Sequence, residues 1–397
     1  MQDFINRQFF NLTMFTLVFG VIFYDTIHYL GFDYVDEICT LLLFVLFLYK
    51  VFKSKTWEFN RLFLITIAVF IFYLVYSFCI NSNTNAAILT DFLIQIKPYM
   101  AFFCVYALKP ELSDNQKKIM RQTIILCSIY VIFVGVGMHI SYDLVEYTFG
   151  HPSRIATAST VLAFLYIYCS DYRRDDKWIF ILLLAIGILS GRSKHYGLFA
   201  ACTLMVLYFR NLNSIKFSVK NICFSIIAIV IMILVSYQKI YSYFILGGFG
   251  QGREVSDLYA RMALYYFSIF IIADYFPFGC GFGSYGTFAS AEYYSPIYAK
   301  YGMDGMHGLS KSFPDFIADT YYPALAQFGA AGIALFFAFW TYLTIRTFKA
   351  YNAGMHKDAL IALMVILFFL IECTSDSTIT HNRGMFMMMI LGLLMKK

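Results

Sequence analysis

Charged residues are scarce in this sequence. Only 14% of its 397 residues are Asp, Glu, Lys or Arg, whereas 60% are hydrophobic, and the mean hydropathy is +0.67. This composition excludes an ordinary soluble domain, which carries more charge on its surface. Repeated apolar runs, long enough to cross the ~30 Å hydrocarbon core of a bilayer, instead predict an all-α, polytopic helical membrane protein.

Paired cysteines, basic clusters and internal repeats are also lacking. The nine cysteines form no CxxC pair and fall mostly in or beside apolar runs, which argues against a disulfide framework or a cysteine-based metal site. No basic cluster interleaved with aromatics suggests a nucleic-acid partner. Repeated halves, typical of many transporters, are not evident. The first apolar run has no small-residue cleavage site after it, so we expect a span rather than a removed signal.

The apolar runs predict about twelve transmembrane helices. They are Phe9–Tyr24, Ile38–Phe52, Leu62–Ile80, Phe92–Leu108, Ile119–Ile140, Ile155–Cys169, Trp178–Leu189, Tyr196–Phe209, Ile222–Tyr237, Ala324–Phe348, Ala359–Ile371 and Met385–Leu394. Hinges rich in Lys and Arg alternate with hinges that are acidic or nearly uncharged. By the positive-inside rule the basic hinges are cytoplasmic. We therefore expect both termini in the cytoplasm.

A long polar stretch, Ser236–Gln327, interrupts the apolar runs and is rich in Tyr, Gly and charge. It is too polar for lipid and too long for a hinge, and the alternation of hinges places it outside the cytoplasm. We expect three parts: nine spans over residues 1–235, one large extracytoplasmic loop domain over 236–323, and three spans over 324–397. Its apolar run Met262–Ala273 is short for a span. We interpret that run as a helix at the membrane interface.

Several basic residues collect on the predicted outer face, where Arg192 and Arg261 oppose the orientation signal. They are Lys97, Arg154, Arg192, Arg253, Arg261 and Arg383. Each alone could be an anchor that snorkels to lipid headgroups. Together, the guanidinium groups would suit a diphosphate, because their planar forks match phosphate oxygens.

Two acids and one histidine of the loop are candidates for proton transfer. Asp315 and Asp319 stand four residues apart, a spacing that would put them on one helical face, and His307 lies upstream. Asp319 could equally be solvated or cap the helix that enters the tenth span. The stretch Gly281–Gly286 formally matches GxGxxG, but it follows no strand and opens no βαβ unit, so a dinucleotide site is rejected. No dense carboxylate cluster is evident, and we expect a metal-independent protein without a cofactor.

Three motifs in this order resemble those of the bacterial O-antigen polymerase and O-antigen ligase superfamily. An apolar run ends in Ser190-Gly191-Arg192-Ser193. Arg261 is followed by Tyr265, and Pro277, Gly279–Gly283 and Tyr285 occupy the places of the family's Pro-x-x-Gly-x-Gly block, although the spacing here is Pro-x-Gly-x-Gly-x-Gly. The closing segment ADTYYPALAQFGAAGIALF is similar to the family's His-Asn, apolar helix and Gly-x-x-Gly pattern. The resemblance covers roughly the second half of the chain.

One departure from the family pattern favours its polymerase branch. Counting back from Gly329, Ala318 occupies the usual His place and Asp319 the usual Asn place. The His typical of the ligase branch is therefore missing at that position.

The resemblance implies a GT-C-like membrane glycosyltransferase of the bacterial inner membrane. Its reaction would be polymerisation of polyprenyl-pyrophosphate-linked oligosaccharide repeat units at the outer leaflet, in the synthesis of O-antigen, capsule or another surface polysaccharide. Membrane lipid, a flippase and chain-length regulators would be its partners. A ligase that transfers finished glycan, or a non-catalytic transporter or flippase, remains an alternative.

The resemblance also implies roles for particular residues. Arg192 and Arg261 would hold the pyrophosphate and neutralise charge as it leaves, with Arg253, Arg154 and Lys97 adding to substrate binding. Tyr265 and Tyr285 would contact sugars. Asp319 would accept the proton of the attacking hydroxyl, with His307 as the rival.

Overall fold

A computed structural model describes residues 1–29, 34–54, 61–208, 241 and 259–395. Its α-helices are Gln2–Phe15 (α1), Tyr24–Tyr29 (α2), Val35–Lys53 (α3), Arg61–Ile80 (α4), Asn85–Leu108 (α5), Asp114–Gly137 (α6), Tyr142–Phe149 (α7), Pro152–Cys169 (α8), Arg174–Ile186 (α9), Ser193–Tyr208 (α10), Ala260–Asp274 (α11), Phe288–Glu292 (α12), Pro296–Lys300 (α13), Tyr321–Ala324 (α14), Gly329–Asn352 (α15), His356–Glu372 (α16) and Asn382–Leu394 (α17). The described residues contain no β-strand, which agrees with the predicted all-α class. The predicted span Ile222–Tyr237 and Arg253 lie outside the described residues.

Four stretches of the described chain are long and apolar enough to cross a membrane. They are α4, α5, α6 and the continuous stretch Tyr321–Asn352, which joins α14 to α15. Each overlaps a predicted span. α17 is apolar but shorter, with 13 residues. The chain thus has the helices of a membrane protein, while the count of twelve spans and the GT-C-like arrangement stay predictions.

The centre of the bundle is the contact between α5 and α17. Every residue of α17 is buried, which is what an apolar helix without a polar face requires. Gly392 lets the two backbones approach, because a Cβ atom there would lie 2.7 Å from the Phe102 carbonyl oxygen. Small residues at helix contacts serve this purpose in membrane bundles generally. α5 is therefore a fixed support for whatever docks on its ends.

The start of α17 is tied to the first helix of the chain. α1 continues into a π-helical turn, Thr16–Ile22, where the wider helix changes the backbone hydrogen-bonding pattern. The Asn382 side-chain amide donates to the Gly20 carbonyl in that turn. This contact fixes the end of α17 that carries Arg383.

Residues between α11 and α15 pack around a hydrophobic core of their own. Its members are Ala260, Ala263, Leu264, Phe267, Ile271, Cys280, Tyr285, Ile297, Tyr298, Met303, Met306, Leu309, Ile317 and Ala326. α11 covers the predicted interfacial run Met262–Ala273 and is a helix, as expected. It packs against α14, the following 3₁₀ turn Leu325–Phe328, and α15. This part of the predicted loop domain is therefore folded onto the bundle.

The glycine-rich block after α11 docks onto the adjoining ends of α4 and α5. The buried Asp91 carboxylate of α5 accepts a hydrogen bond of 2.8 Å from the Gly283 amide, and Asn83 donates to the Gly283 carbonyl at 2.7 Å. Gly279 (φ +78°) lies so close to Gly329 that a Cβ atom on Gly279 would come within 2.3 Å of the Gly329 nitrogen. The glycine-rich block thus joins the loop to the bundle.

Candidate functional site

Three segments that are distant in sequence meet at one end of the bundle: residues 190–194, 313–320 and 373–381. The Ser377 hydroxyl donates to the Ala318 carbonyl at 2.7 Å, and the Tyr321 amide donates to the Cys373 carbonyl at 3.2 Å. α11 joins them, because the Tyr265 hydroxyl donates to the Thr374 carbonyl at 2.9 Å. The meeting point gathers charges from five helices and their loops.

Arg261 and Asp319 form an ion pair between α11 and the loop before α14. The guanidinium Nη2 lies 3.0 Å from the carboxylate, and both side chains are partly exposed. Burial raises the pKa of Asp319, the Arg261 guanidinium offsets part of that rise, and Asp376 adds to it. The sequence-predicted base and a predicted phosphate ligand are therefore direct partners.

Asp319 does not cap a helix. The residue at the cap of α14 is Thr320, and residues 313–320 form turns, so Asp315 and Asp319 do not share a helical face. The capping hypothesis and the helical spacing are wrong at this position, because the helix starts only at Tyr321. What remains for Asp319 is its ion pair with Arg261.

Lys194 of α10 lies beside two carboxylates, Glu372 at the end of α16 and Asp376 in the loop before α17. Its Nζ atom is 2.6 Å from Glu372 and 3.4 Å from Asp376, and His381 Nδ1 lies 3.7 Å from Asp376. Burial acts to raise the pKa of Asp376, but the adjacent Lys194 ammonium outweighs it and holds that pKa below its ordinary value. Asp376 therefore stays ionised and ties α10 to the loop before α17.

Arg192 contacts a histidine. Its Nη2 donates to His151 Nε2 at 2.8 Å, while His151 Nδ1 lies 2.7 Å from the Ser153 hydroxyl oxygen. Burial first, and then the nearby Arg192 and Arg154, lower the pKa of His151 to about 4. The imidazole is thus neutral at physiological pH. Its Nε2 accepts from Arg192, because a guanidinium can only donate.

The other described basic residues predicted at this end each contact a carboxylate, and two of them share one. Arg154 and Arg383 both bind Asp25, the latter at 2.7 Å. Lys97 is buried against Asp36 and Glu37. Among the Lys and Arg residues of this site, which are Lys97, Arg154, Arg192, Lys194, Arg261 and Arg383, Arg192 alone has no carboxylate partner in the part of the chain that the structure describes. Its guanidinium is therefore the one of this set that an incoming anion can bind without displacing a carboxylate.

Electrostatic interactions connect the two halves of the site. Asp376 acts on both His151 and Asp319, and Lys194 also acts on both. Lys194 follows Arg192 by two residues, and Ser377, next to Asp376, binds the carbonyl that precedes Asp319. The site therefore runs continuously from Arg192 to the Arg261–Asp319 pair.

Two other predicted residues do not face this site. Tyr285 is fully buried, and its hydroxyl donates to the Leu264 carbonyl at 2.6 Å. It supports the loop core and presents no surface to a sugar. His307 is exposed and packs against the rings of Phe313 and Phe316. Tyr265 lies at the site edge through its bond to Thr374, whereas Arg253 lies outside the described residues.

Sequence reasoning missed Lys194, Glu372 and His381 as members of the site. The signal was present in two polar breaks, GRSKHYG after the seventh predicted span and ECTSDSTITHNRG before the last. Nothing in the sequence indicates that these two breaks meet, because Lys194 and Asp376 are about 180 residues apart in the chain. Only the packing of α10 against α16 brings them together.

A partly open cavity of about 200 Å³ lies between α4, α5 and α15. Its lining is almost wholly apolar and aromatic: Leu62, Ile65, Thr66, Val69, Phe70, Tyr73, Gln95, Tyr99, Phe282, Tyr321, Leu325, Phe328, Gly332, Leu335, Phe336, Ala338, Phe339 and Tyr342. At one end the Tyr321 hydroxyl donates to Gln95 Oε1 at 3.2 Å. Tyr321 follows Asp319 by two residues, so the chain segment that carries Asp319 continues into the lining of this cavity.

No protein-family model matches the chain, and no curated protein matches it. The resemblance to the O-antigen polymerase and ligase superfamily therefore rests on the motif residues named above.

Proposed function

We propose that the chain is a membrane glycosyltransferase that polymerises polyprenyl-pyrophosphate-linked oligosaccharide repeat units for a surface polysaccharide. The observation that carries the proposal is Arg192, a guanidinium without a carboxylate partner at a site where the neighbouring Lys and Arg residues are paired. Guanidinium groups are the usual ligands of phosphate oxygens because they bind two of them at once.

The substrate would need both an anionic group and a long apolar chain, and the site offers a place for each. The charged site holds Arg192 and Arg261, and Tyr321, which follows Asp319 by two residues, lines the apolar cavity. A polyprenyl pyrophosphate has this combination of groups. The largely apolar and aromatic lining suits an unsaturated hydrocarbon chain.

The chemistry assigned to the residues is a displacement at the reducing-end sugar. The bond between its anomeric carbon and the pyrophosphate oxygen breaks, and a hydroxyl of the next repeat unit forms the new glycosidic bond. The leaving pyrophosphate takes the electron pair, and Arg192 and Arg261 stabilise its growing charge. The proton of the attacking hydroxyl passes to Asp319, whose raised pKa brings it closer to the operating pH than an ordinary aspartate.

Ion pairing of Arg261 with Asp319 suits such a cycle. When the pyrophosphate binds Arg261, the carboxylate loses part of its partner's charge and becomes a stronger base. When the product leaves, the pair forms again and neutralises both groups. In this proposal the site faces the outer leaflet of the bacterial inner membrane, both termini are cytoplasmic, and a flippase delivers the lipid-linked units.

The test is an assay with purified protein in lipid nanodiscs and a lipid-linked repeat unit as the only glycan. A ladder of products that differ by one repeat unit is the expected result. Transfer of a preformed glycan to a lipid or protein acceptor, without a ladder, would instead mean a ligase. Movement of the unmodified lipid across a bilayer with no new bond would mean a transporter.

A further inference from the structure

An apolar edge of the loop region is exposed among the residues that the structure describes. Phe276 is 73% exposed and Phe278 37% exposed, and near the end of α11 Ile269 is 66% and Phe270 44% exposed. We call these four residues the Phe276 edge. Uncovered apolar surfaces of this kind on a folded protein mark a contact with a partner or a membrane.

The Phe276 edge lies alongside a membrane-spanning candidate rather than beyond its end. The Phe278 ring is 5.1 Å from Phe72 and 5.8 Å from Tyr76, measured between ring centroids. Phe72 precedes Ile80, the last residue of α4, by eight residues. At the helical rise this is about 12 Å below the helix end. The edge is thus level with the apolar part of α4.

The surface of α4 at this level is itself uncovered. Phe72 and Val75 are exposed, and little of the helix is buried inside the protein. An apolar helix that spans a bilayer presents such a face to lipid. The Phe276 edge is continuous with that face through the Phe72–Phe278 contact.

Irregular backbone at membrane depth must have its polar groups satisfied by the protein. Several backbone groups of the turn at residues 275–279 meet this condition. Pro277 has no N–H group, and its carbonyl accepts from the Ala331 amide at 3.0 Å. The Gly279 amide donates to the Tyr275 carbonyl, and the Gly279 carbonyl accepts from the Tyr76 hydroxyl at 2.9 Å.

Residues typical of the headgroup region flank the edge. Lys300 Nζ donates to the Tyr275 hydroxyl at 3.0 Å and lies over both the Tyr275 and Tyr301 rings. The Tyr301 hydroxyl in turn donates to Asp274. Tyrosines and lysines with an apolar body and a polar tip are concentrated where a bilayer meets water.

We infer that the Phe276 edge inserts into the bilayer beside α4, so that the loop region is anchored in lipid as well as docked on the bundle. Phe276 and Phe278 enter the acyl-chain region, and Tyr275, Tyr301 and Lys300 lie at the headgroups. The anchor fixes the depth of α11 and hence of Arg261. This inference depends on the membrane helices and not on the proposed glycan reaction, so either can fail alone.

The test measures the depth of an added indole in nanodiscs. Phe276→Trp is made in the otherwise unchanged protein, and Phe313→Trp serves as a matched control on an exposed aromatic of the same loop region. The emission of the parent protein, which has three tryptophans, is subtracted. Both variants exchange one aromatic for another at an exposed site, and size-exclusion profiles check that they fold.

We expect the indole at position 276 to lose most of its emission in bilayers of brominated phosphatidylcholine and to resist aqueous iodide. The indole at position 313 is expected to behave in the opposite way. Iodide quenching at position 276 with no loss in brominated lipid would overturn the inference. So would protection from both quenchers together with crosslinking between two chains, because a second copy would then cover the edge.

Discussion

Arg192 donates a hydrogen bond from Nη2 to His151 Nε2 over 2.8 Å, and its guanidinium has no carboxylate partner among the described residues. The imidazole it contacts is neutral, because burial and the adjacent arginines lower the pKa of His151 to about 4. A neutral acceptor is a weak partner for a permanent charge. An incoming phosphate oxygen can therefore replace the imidazole without displacing another anion.

Binding of a polyprenyl pyrophosphate should depend on Arg192. We expect Arg192→Ala to weaken binding of the pyrophosphate by about ten- to a hundredfold, since hydrogen bonds to charged groups contribute ~1.5–3 kcal/mol. Arg192→Lys should recover only part of the loss, because it keeps the charge and loses the planar fork. Microscale thermophoresis in nanodiscs measures both.

The matched control for Arg192 is Arg173→Ala. Arg173 is an exposed arginine that pairs with Asp171 at a hinge predicted to be cytoplasmic. Its removal should leave pyrophosphate binding unchanged. Equal affinity of the parent protein and Arg192→Ala would refute the assignment.

Asp319→Asn should slow glycan transfer without loss of substrate binding. A general base contributes ~10²–10⁴-fold, and the amide cannot accept the proton. The parent enzyme should also lose rate as the pH falls through the pKa of Asp319, since only the ionised form is a base. Burial raises that pKa, so the decline should begin at higher pH than for an ordinary aspartate. Rates measured against pH should show no such limb in Asp319→Asn.

A positioning role for Asp319 makes a different prediction. If the carboxylate only orients Arg261, then Asp319→Asn and Arg261→Ala should cost no more together than Arg261→Ala alone. Independent, multiplying losses in kcat would mean that Asp319 acts on the substrate itself. A parent-like pH profile in Asp319→Asn would transfer the role of base to another group, such as His307.

The outcome for individual elements shows which features a sequence encodes locally. α4, α5 and α6 lie where the apolar runs predict them, because a long run of apolar side chains has few other stable conformations in lipid. The dozen apolar residues 262–273 also give a helix, α11. These predictions need only neighbours in sequence.

Predictions that depended on the direction of a side chain, or on its partner from a distant part of the chain, were less successful. Tyr285 was expected to contact sugar, yet it lies in the loop core, since an aromatic residue in a polar segment does not reveal which way it points. The six basic residues of the outer face were expected to anchor the protein at lipid headgroups or, together, to bind a diphosphate. Most of those that the structure describes contact carboxylates. Those carboxylates lie in α2, in α3 and in the loop before α14. No local sequence pattern predicts that these carboxylates contact the basic residues.

The contact of Lys194 with Glu372 and Asp376 should be important for stability. Lys194 and Glu372 are nearly buried, and removing one partner of a buried pair costs about 3–5 kcal/mol. We therefore expect Lys194→Met to lower the thermal unfolding temperature in detergent markedly. Lys194→Met combined with Glu372→Leu should recover much of it, because no unpaired buried charge remains at Glu372.

The control for Lys194 is Lys117→Met, which removes a lysine from an exposed pair with Asp114. Exposed pairs contribute ~0–1 kcal/mol, so the unfolding temperature should hardly change. Differential scanning fluorimetry measures the unfolding temperatures. Equal shifts for Lys194→Met and Lys117→Met would show that the Lys194 contact does not stabilise the fold.

Orientation in the membrane is a further expectation. Accessibility tags inserted at residues 173–177 and at the C-terminus should report the cytoplasm, and a tag near Asp304 the opposite side, because the basic hinges are retained inside. Untagged protein and a tag in a known cytoplasmic protein calibrate the signal. A cytoplasmic report at Asp304 would place the charged site on the wrong side for the proposed reaction.

The most direct measurement is the chain-length distribution of glycan products over time, with parent protein, Arg173→Ala and Arg192→Ala in nanodiscs supplied with a lipid-linked repeat unit. The account predicts a growing ladder for the parent and for Arg173→Ala, and loss of the ladder in Arg192→Ala, although that variant remains folded. No ladder from the folded parent, or an undiminished ladder from Arg192→Ala, would contradict it.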